Sequence, residues 1–122
     1  MILHNLRNTF KKTIYMSKRV EEKIQLKHPD CSCYANKPSF FLLLENTIAF
    51  LPYEKDTDTF NFIAYVTESN IFVLYALKSE KHHTTCITIF KLRESTLKKY
   101  IKQDKFRVIS SEGKKILKEY IN

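Results

Sequence analysis

Four segments rich in β-branched and aromatic side chains follow one another in the middle of this chain, with only short polar connectors between them. Their composition predicts strands at residues 48–53, 59–66, 71–77 and 85–92. Connectors this short cannot hold a crossover helix, so successive strands are expected to pair antiparallel as a meander. The strands are apolar on both faces, which predicts that both faces of the sheet are covered.

Helical spacing precedes the predicted sheet. One apolar stripe consists of Leu3, Leu6, Phe10 and Ile14. This spacing predicts a first amphipathic helix. Ser17 can cap a second helix that runs to Lys27, because proline at position 29 disfavours helical geometry at His28. We interpret residues 31–38 as a loop and residues 39–46 as a further short helix.

Helical spacing returns after the last predicted strand. Leu97, Tyr100 and Ile101 predict a helix whose solvent side carries lysines. Residues 106–109 predict a short edge strand, after which Ser110 or Ser111 can cap a final helix. The expected fold class is therefore α+β, with N-terminal helices, a four-stranded antiparallel meander sheet and basic C-terminal helices in a single domain over residues 1–122.

The formal net charge is +8, and the cations concentrate at the two ends of the chain. Residues 1–28 carry 7 Lys/Arg against 2 Asp/Glu, residues 29–90 carry 4 against 7, and residues 91–122 carry 10 against 4. Basic ends of this kind are typical of contact with the phosphates of nucleic acid. We predict RNA as the partner. The predicted phosphate-binding residues are Lys81, Lys91, Lys98, Lys99 and Lys102.

Neither a membrane span nor export is expected. Uninterrupted apolar runs such as residues 40–44 are far shorter than the roughly 20 residues that cross a bilayer. His4, Asn5 and Arg7 stand where a secretory signal would be apolar. Three cysteines, an odd number, favour reduced thiols over disulfide pairs. The sequence therefore predicts a cytoplasmic protein without membrane contact.

Gly113 is the only glycine in the sequence. Loops that cradle phosphate need several glycines, so Walker-type and Rossmann-type nucleotide sites are excluded. A nucleophile elbow is excluded for the same reason, and no His-Glu-x-x-His motif of a zinc protease occurs. The sequence thus predicts no cofactor and leaves few enzyme classes.

Histidine and cysteine fall into two short clusters, at residues 28–33 and 82–86. Thiolate and imidazole are the ligands that zinc prefers, so four residues of these clusters could close a tetrahedral site. The four residues are Cys31, Cys33, His83 and Cys86. The Cys-x-Cys spacing departs from common zinc motifs, and a buried thiol at the start of a strand is ordinary. We predict no metal and keep zinc as the alternative.

Cleavage of RNA without a metal suits a glycine-poor basic domain, because the substrate supplies its own nucleophile, the ribose 2′-hydroxyl. The protein then needs a base, an acid and cations that stabilise the phosphate. The candidate residues are His28, Lys81, His82, His83, Lys91, Arg93 and Tyr100. Structural alternatives stand beside them: loop histidines are common, Arg93 can pair with Glu94 or Asp104, and Tyr100 can be a core residue.

Residues 41–92 contain Leu-Leu-Glu-Asn-Thr-Ile-Ala-Phe, Ile-Phe-Val-Leu-Tyr-Ala-Leu and Cys-Ile-Thr-Ile-Phe-Lys-Leu. With the order of helices and antiparallel strands, these segments resemble the phage- and toxin-borne members of the small nuclease superfamily that groups barnase, EndoU, colicin and RelE-type toxins. The resemblance implies a metal-independent endoribonuclease, a hydrolase of toxin or mobile-element type, with an antitoxin or inhibitor protein as a partner. The positions nearest the family's functional places are His28, His82 or His83, Thr88 and Arg93.

Two interpretations without catalysis stay open. In the first, the lysine faces of the end helices bind phosphate without reading sequence, and the affinity falls steeply with added salt. In the second, the chain is a protein-interaction module whose doubly apolar strands bury a face against a partner or a second copy, as in a homodimer.

Overall fold

The computed structural model describes residues 14–34, 37–51, 59–79, 84–103, 105, 107–109 and 111–119. In chain order the elements are β1 (Ile14–Tyr15), α1 (Lys18–Lys27), a 3-10 helix (Pro29–Tyr34), α2 (Lys37–Glu45), β2 (Thr47–Leu51), β3 (Thr59–Val66), β4 (Ile71–Ser79), β5 (Thr84–Leu92), α3 (Glu94–Lys102), β6 (Arg107–Val108) and α4 (Ser111–Lys118). Helices precede and follow a group of strands, which confirms the α+β class.

The six strands among the described residues form one sheet in the order β1-β5-β4-β3-β2-β6. Strands β2 to β5 each pair antiparallel with the next, which confirms the predicted meander. The prediction of a four-stranded sheet is wrong in its number of strands, because one more strand joins at each edge. Strand β6 joins β2 antiparallel, as an edge strand at residues 106–109 predicts, and β1 joins β5 parallel. Ile14 was expected to end the first helix but pairs with Thr84, whereas the rest of that predicted helix lies outside the described residues.

A β-bulge in β5 decides which of its side chains reach each face of the sheet. Ala76 pairs with Thr88, and the next residue of β4, Leu77, pairs with Cys86, so one residue of β5 is extra in the ladder. Strict alternation would put Cys86 and Ile89 on opposite faces. With the bulge, both enter the same buried cluster.

Helices cover both faces of the sheet. On one face, Ile24 of α1 and Phe40 of α2 join a buried cluster with residues of β3, β4 and β5. On the other face, Leu97 of α3 and Leu117 of α4 join a second cluster with residues of β2 to β5. The cover predicted for both faces is therefore confirmed. The chain's own helices account for the apolar pattern of the strands.

Helix α1 begins and ends where its sequence signals predict. Ser17 has an extended backbone, and its hydroxyl oxygen accepts a hydrogen bond from the Val20 amide at 3.2 Å. The helix closes at His28, whose N–H donates to the Ile24 carbonyl at 2.8 Å. Pro29 follows directly and cannot continue the hydrogen-bond ladder.

The segment between α1 and α2 corrects one prediction. Residues 31–38 were expected to form a loop, but the 3-10 helix occupies Pro29–Tyr34 and α2 already begins at Lys37. Cys31 is fully buried, and its N–H donates to the His28 carbonyl at 2.9 Å. Burial of the Cys31 side chain holds the short helix in place. No local sequence pattern predicts this burial. Helix α2 itself confirms the helix predicted at residues 39–46.

The helices are short. Helix α1 has 10 residues and so spans about 15 Å, half the roughly 30 Å hydrocarbon thickness of a bilayer. In the part of the chain that the structure describes, no helix combines the length and the apolar character that crossing a membrane requires.

Candidate nucleic-acid interface

An open groove lies at the end of the sheet where β4 begins and β5 ends. We term it the edge groove. Its volume is about 850 Å³, within the range of about 300–1,000 Å³ that is typical of ligand sites. The end of α1, the β3–β4 turn and the β5–α3 junction meet there. The lining residues are Lys27, His28, Asp30, Asn70, Ile71, Phe72, Phe90, Lys91, Leu92, Arg93, Glu94, Thr96 and Tyr100.

His28 stands at the point where the chain leaves α1. Its N–H donates to the Ile24 carbonyl at 2.8 Å, and its carbonyl accepts from the Cys31 N–H at 2.9 Å. The imidazole is half-buried and packs against the Phe90 ring, with 5.5 Å between ring centres and a tilt of 36°. A main chain held on both sides and a ring contact therefore fix the imidazole at the groove.

Lys91 and Arg93 lie on the extended chain that ends β5. Residues two apart in extended chain point to the same side, so both cations leave the sheet on one side. Burial raises the pKa of the Cys31 thiol to about 12, and the charge of Lys91 opposes this rise. The charge of Lys91 therefore acts on Cys31 of the 3-10 helix, the element that follows His28. Both cations are exposed to solvent.

Helix α3 begins within the groove. Arg93 is its N-cap residue and makes no side-chain capping hydrogen bond, while Glu94 and Thr96 of the first turn line the groove. The first amides of a helix have no partner within the helix, and its dipole favours anions at this end. The carboxylate of Glu94 lies 3.3 Å from the Lys98 ammonium, so a cation one turn on offsets its charge.

The turn between β3 and β4 adds an amide side chain. Asn70 has a φ of 53°, in the left-handed region that asparagine tolerates better than most residues. Its N–H donates to the Thr67 carbonyl at 3.3 Å, and its side-chain oxygen accepts a hydrogen bond from the Tyr65 phenol. The turn thereby holds the amide of Asn70 at the groove.

The groove combines the groups that phosphate binding and proton transfer require. Its cations are Lys27, Lys91 and Arg93, and its carboxylates are Asp30 and Glu94. The excess of cations suits a phosphate ligand. The imidazole and the carboxylates suit transfer of a proton to or from that ligand.

Several residues that the sequence singled out meet in the groove. His28, Lys91, Arg93 and Tyr100 all line it, although they come from both ends of the sequence. Tyr100 also packs against the second buried cluster, and the Lys105 ammonium lies 5.5 Å from its ring centre. The structural role weighed for Tyr100 therefore holds alongside its place in the groove.

The other predicted catalytic residues do not lie in the described part of the groove. Thr88 is half-buried in β5, opposite Ala76. The residues Lys81, His82 and His83 lie outside the described residues. Thr84, which follows them, is about 26 Å along β5 from Leu92 at ordinary strand spacing.

The predicted lysines of α3 lie on its solvent side, outside the groove lining. Lys98, Lys99 and Lys102 are exposed and fall within an arc of about 100°. Helix α4 presents Lys114, Lys115 and Lys118 in the same way. Residues 94–119 carry 8 Lys/Arg against 4 Asp/Glu, whereas residues 17–46 carry 5 against 4. Over these two ranges, the segment that contains α3 and α4 therefore has the larger excess of cations.

Two of the three cysteines of the alternative zinc site, Cys31 and Cys86, act as packing residues. Cys31 and Cys86 are fully buried, and burial raises the pKa of each thiol to about 12, whereas zinc binds thiolate. The Cys86 thiol donates to the Thr88 carbonyl at 3.8 Å. Cys33 is exposed, and His83 lies outside the described residues. Among those residues, no group of three His, Cys, Asp or Glu could hold a metal.

Sequence reasoning missed several residues of the groove. Lys27 and Asp30 flank His28 within two positions, and this proximity at a helix end was a usable signal. The sequence gives no such signal for Phe90 and Asn70, because phenylalanine is typical of a strand core and asparagine of a turn.

Comparisons with protein-family models, with curated proteins and with solved structures found no match. The resemblance to the small nuclease superfamily stays a prediction. The functional interpretation therefore rests on the geometry of the edge groove.

Proposed function

We propose that this protein binds RNA in the edge groove and cleaves it without a metal ion. The supporting observation is that His28 lines the same groove as Lys91 and Arg93. An imidazole beside two cations offers proton transfer and charge stabilisation, the two things that cleavage of RNA demands of a protein. DNA lacks the 2′-hydroxyl nucleophile, so the proposed activity is specific for RNA.

In the proposed reaction the ribose 2′-oxygen attacks the adjacent phosphorus, and the bond from phosphorus to the 5′-oxygen breaks. One group takes the proton of the 2′-hydroxyl, and another gives a proton to the leaving 5′-oxygen. The products are a 2′,3′-cyclic phosphate and a 5′-hydroxyl. His28 performs one transfer, Asp30 or Glu94 performs the other, and the two cations stabilise the pentavalent phosphorus.

The test incubates labelled RNA with the purified protein in EDTA and examines the ends formed. We expect 2′,3′-cyclic phosphate ends with the natural protein and a loss of about 10²–10⁴-fold in cleavage rate for His28→Ala. Lys91→Ala should weaken both binding and cleavage. Lys18→Ala is the matched control, because Lys18 is exposed at the opposite end of α1 and should change neither.

Two results would contradict parts of this proposal. RNA that is bound but stays intact would remove the cleavage and leave a binding function. RNA that is cut by His28→Ala at the full rate would remove His28 from the mechanism, and His82→Ala and His83→Ala would then test the remaining imidazoles.

A second candidate function is binding of RNA without cleavage, on the solvent faces of α3 and α4. The cation excess of that layer supports it, because exposed lysines on one surface bind phosphate independently of sequence. This function also explains the lysines that lie outside the edge groove.

The setting of the proposed activity is a toxin or mobile-element protein, of phage type, that acts in the cytoplasm. An antitoxin or inhibitor protein would then be needed, because a ribonuclease without one damages the cell that makes it. The buried thiols of Cys31 and Cys86 suit a reducing compartment. A homodimer remains a further prediction from the sequence.

A further inference from the structure

We propose that the edge groove takes an unpaired base of single-stranded RNA, stacked on Phe90 and hydrogen-bonded by Asn70. The inference rests on the proposed function, because it specifies the substrate class of the same site. Both residues line the groove, and neither was expected from the sequence to bind a ligand.

Phe90 supplies an aromatic surface beside the cations. Its ring is half-buried, lines the groove and packs against the His28 imidazole, so a base stacked on the exposed part of the ring would lie next to that imidazole. Every nucleobase has a π face, so stacking on an aromatic side chain binds any base with little sequence preference. The cations that line the same groove can hold the phosphate of that nucleotide.

Asn70 supplies a hydrogen-bond donor of fixed orientation. Its side-chain oxygen is engaged by the Tyr65 phenol, so the amide nitrogen is the end of the side chain that can donate to an acceptor on a base edge. The Tyr65 ring packs against Phe72, with 4.9 Å between ring centres, which holds the phenol in place. Tyr65 is thus a positioning residue for Asn70.

A base can use these two groups only when it is unpaired. In duplex RNA both faces of a base are stacked on its neighbours, and its pairing edge is occupied. The deep, narrow major groove of A-form RNA also keeps side chains from the base edges. A concave groove at a sheet edge therefore selects bases that can leave the stack, as those of single strands do.

The test measures affinity by fluorescence anisotropy, with labelled single-stranded RNA and a hairpin of the same composition whose two strands are joined by a non-nucleotide linker, so that the hairpin has no unpaired base. Both RNAs carry 2′-O-methyl groups, which block attack by the 2′-oxygen and so separate binding from cleavage. The natural protein should bind the single strand more tightly than the hairpin. Phe90→Leu should weaken single-strand binding by about tenfold, the effect of losing one stacked base, while hairpin binding stays unchanged.

Two further variants make the result specific. Asn70→Gly keeps the backbone freedom that a φ of 53° needs but removes the amide, and should weaken single-strand binding by about fivefold, the effect of one hydrogen bond. Phe60→Leu is the matched control, because Phe60 is exposed on β3 outside the groove lining and should change nothing.

The outcomes separate this inference from the proposed function. The natural protein could bind single strand and hairpin equally, with binding lost in Lys91→Ala but kept in Phe90→Leu. That result would overturn the base site and keep the groove as a phosphate site. Equal weakening in Phe60→Leu and Phe90→Leu would also overturn it. No binding of either RNA by the natural protein would overturn the proposed function itself.

Discussion

Among the described residues, three fully buried side chains beneath α1 and α2 carry ionisable groups: Cys31, Tyr75 and Cys86. Burial raises the pKa of both thiols to about 12 and also raises the pKa of the Tyr75 phenol. The phenol oxygen lies 2.5 Å from the Thr47 hydroxyl, which donates to the Leu43 carbonyl at 2.8 Å, so Tyr75 is the donor of its bond to Thr47. The fold therefore holds all three groups in their neutral forms.

We expect the free energy of unfolding to fall as the pH rises from about 9 towards about 12, and these groups to have no effect on it below that window. An unfolded thiol loses its proton near the ordinary pKa of 9.0, whereas the folded one keeps it, so rising pH favours the unfolded state. The slope is about 1.4 kcal/mol per pH unit for each thiol. Urea denaturation at a series of pH values measures it.

The cysteine variants isolate this effect from other groups that titrate in the same window. Cys86→Ala and Cys31→Ala should each flatten the pH dependence, although both lower stability at neutral pH. Ser95→Ala is the control and should keep the original slope, because it changes an exposed side chain of α3 that carries no thiol. An unchanged slope in both buried variants would show that neither thiol is held neutral by the fold.

At the scale of elements, β5 determines which side of the sheet receives the cations of the edge groove. The bulge shifts the alternation after Cys86, so that Ile89 faces the layer of α1 and α2 while Phe90 and Leu92 face the other layer. Lys91 and Arg93 alternate with Phe90 and Leu92 and thus face the side of α1.

Helix α1 positions the imidazole of the groove, because His28 follows its last residue. Ser17→Ala should lower the free energy of unfolding by about 1 kcal/mol, since it leaves the Val20 amide without its capping acceptor. Ser17→Gly should lower the free energy of unfolding by only about a few tenths of a kcal/mol. Thermal or urea unfolding measures both, with Ser95→Ala, an exposed position inside α3, as the control. Equal stability of Ser17→Ala and the natural protein would show that the cap contributes nothing.

At the scale of the whole molecule, the two helical layers differ in charge. The layer of α3 and α4 carries a net +4 over residues 94–119, from 8 cations and 4 carboxylates, and the layer of α1 and α2 carries +1 over residues 17–46, from 5 and 4. Over these ranges the larger cation excess lies at α3 and α4, so the lysines of α3 are the first to test for contact with a polyanion.

We expect the triple change of Lys98, Lys99 and Lys102 to Gln to weaken RNA binding and to reduce its salt dependence. For a single strand, the slope of log affinity against log salt should decrease by about 0.7 for each phosphate that the variant no longer neutralises. The control removes three exposed cations of α1, at Lys18, Arg19 and Lys23, and so changes the net charge equally. Equal effects of the two triple variants would show that only net charge matters and that neither layer is the binding surface.

Much of the fold could be predicted because its signals are local. Short connectors dictated an antiparallel meander, composition marked β2 to β5, and Ser17 with Pro29 marked the ends of α1. His28, Lys91 and Arg93 were chosen as candidate residues from the chemistry of their side chains and their positions at the ends of predicted elements. What the sequence did not reveal about them was that they share one site.

The remainder was decided by contacts between residues distant in the chain. The pairing of Ile14 with Thr84 and the burial of Cys31 override local patterns, because edge pairing and core packing outweigh weak propensities. The bulge in β5 depends on its register with β4, which no single strand encodes. Composition and spacing determined which elements form and what chemistry they carry. Tertiary packing alone determined that the imidazole, the cations and the Phe90 ring meet at one edge, because sidedness is set only when strands pair and helices cover them.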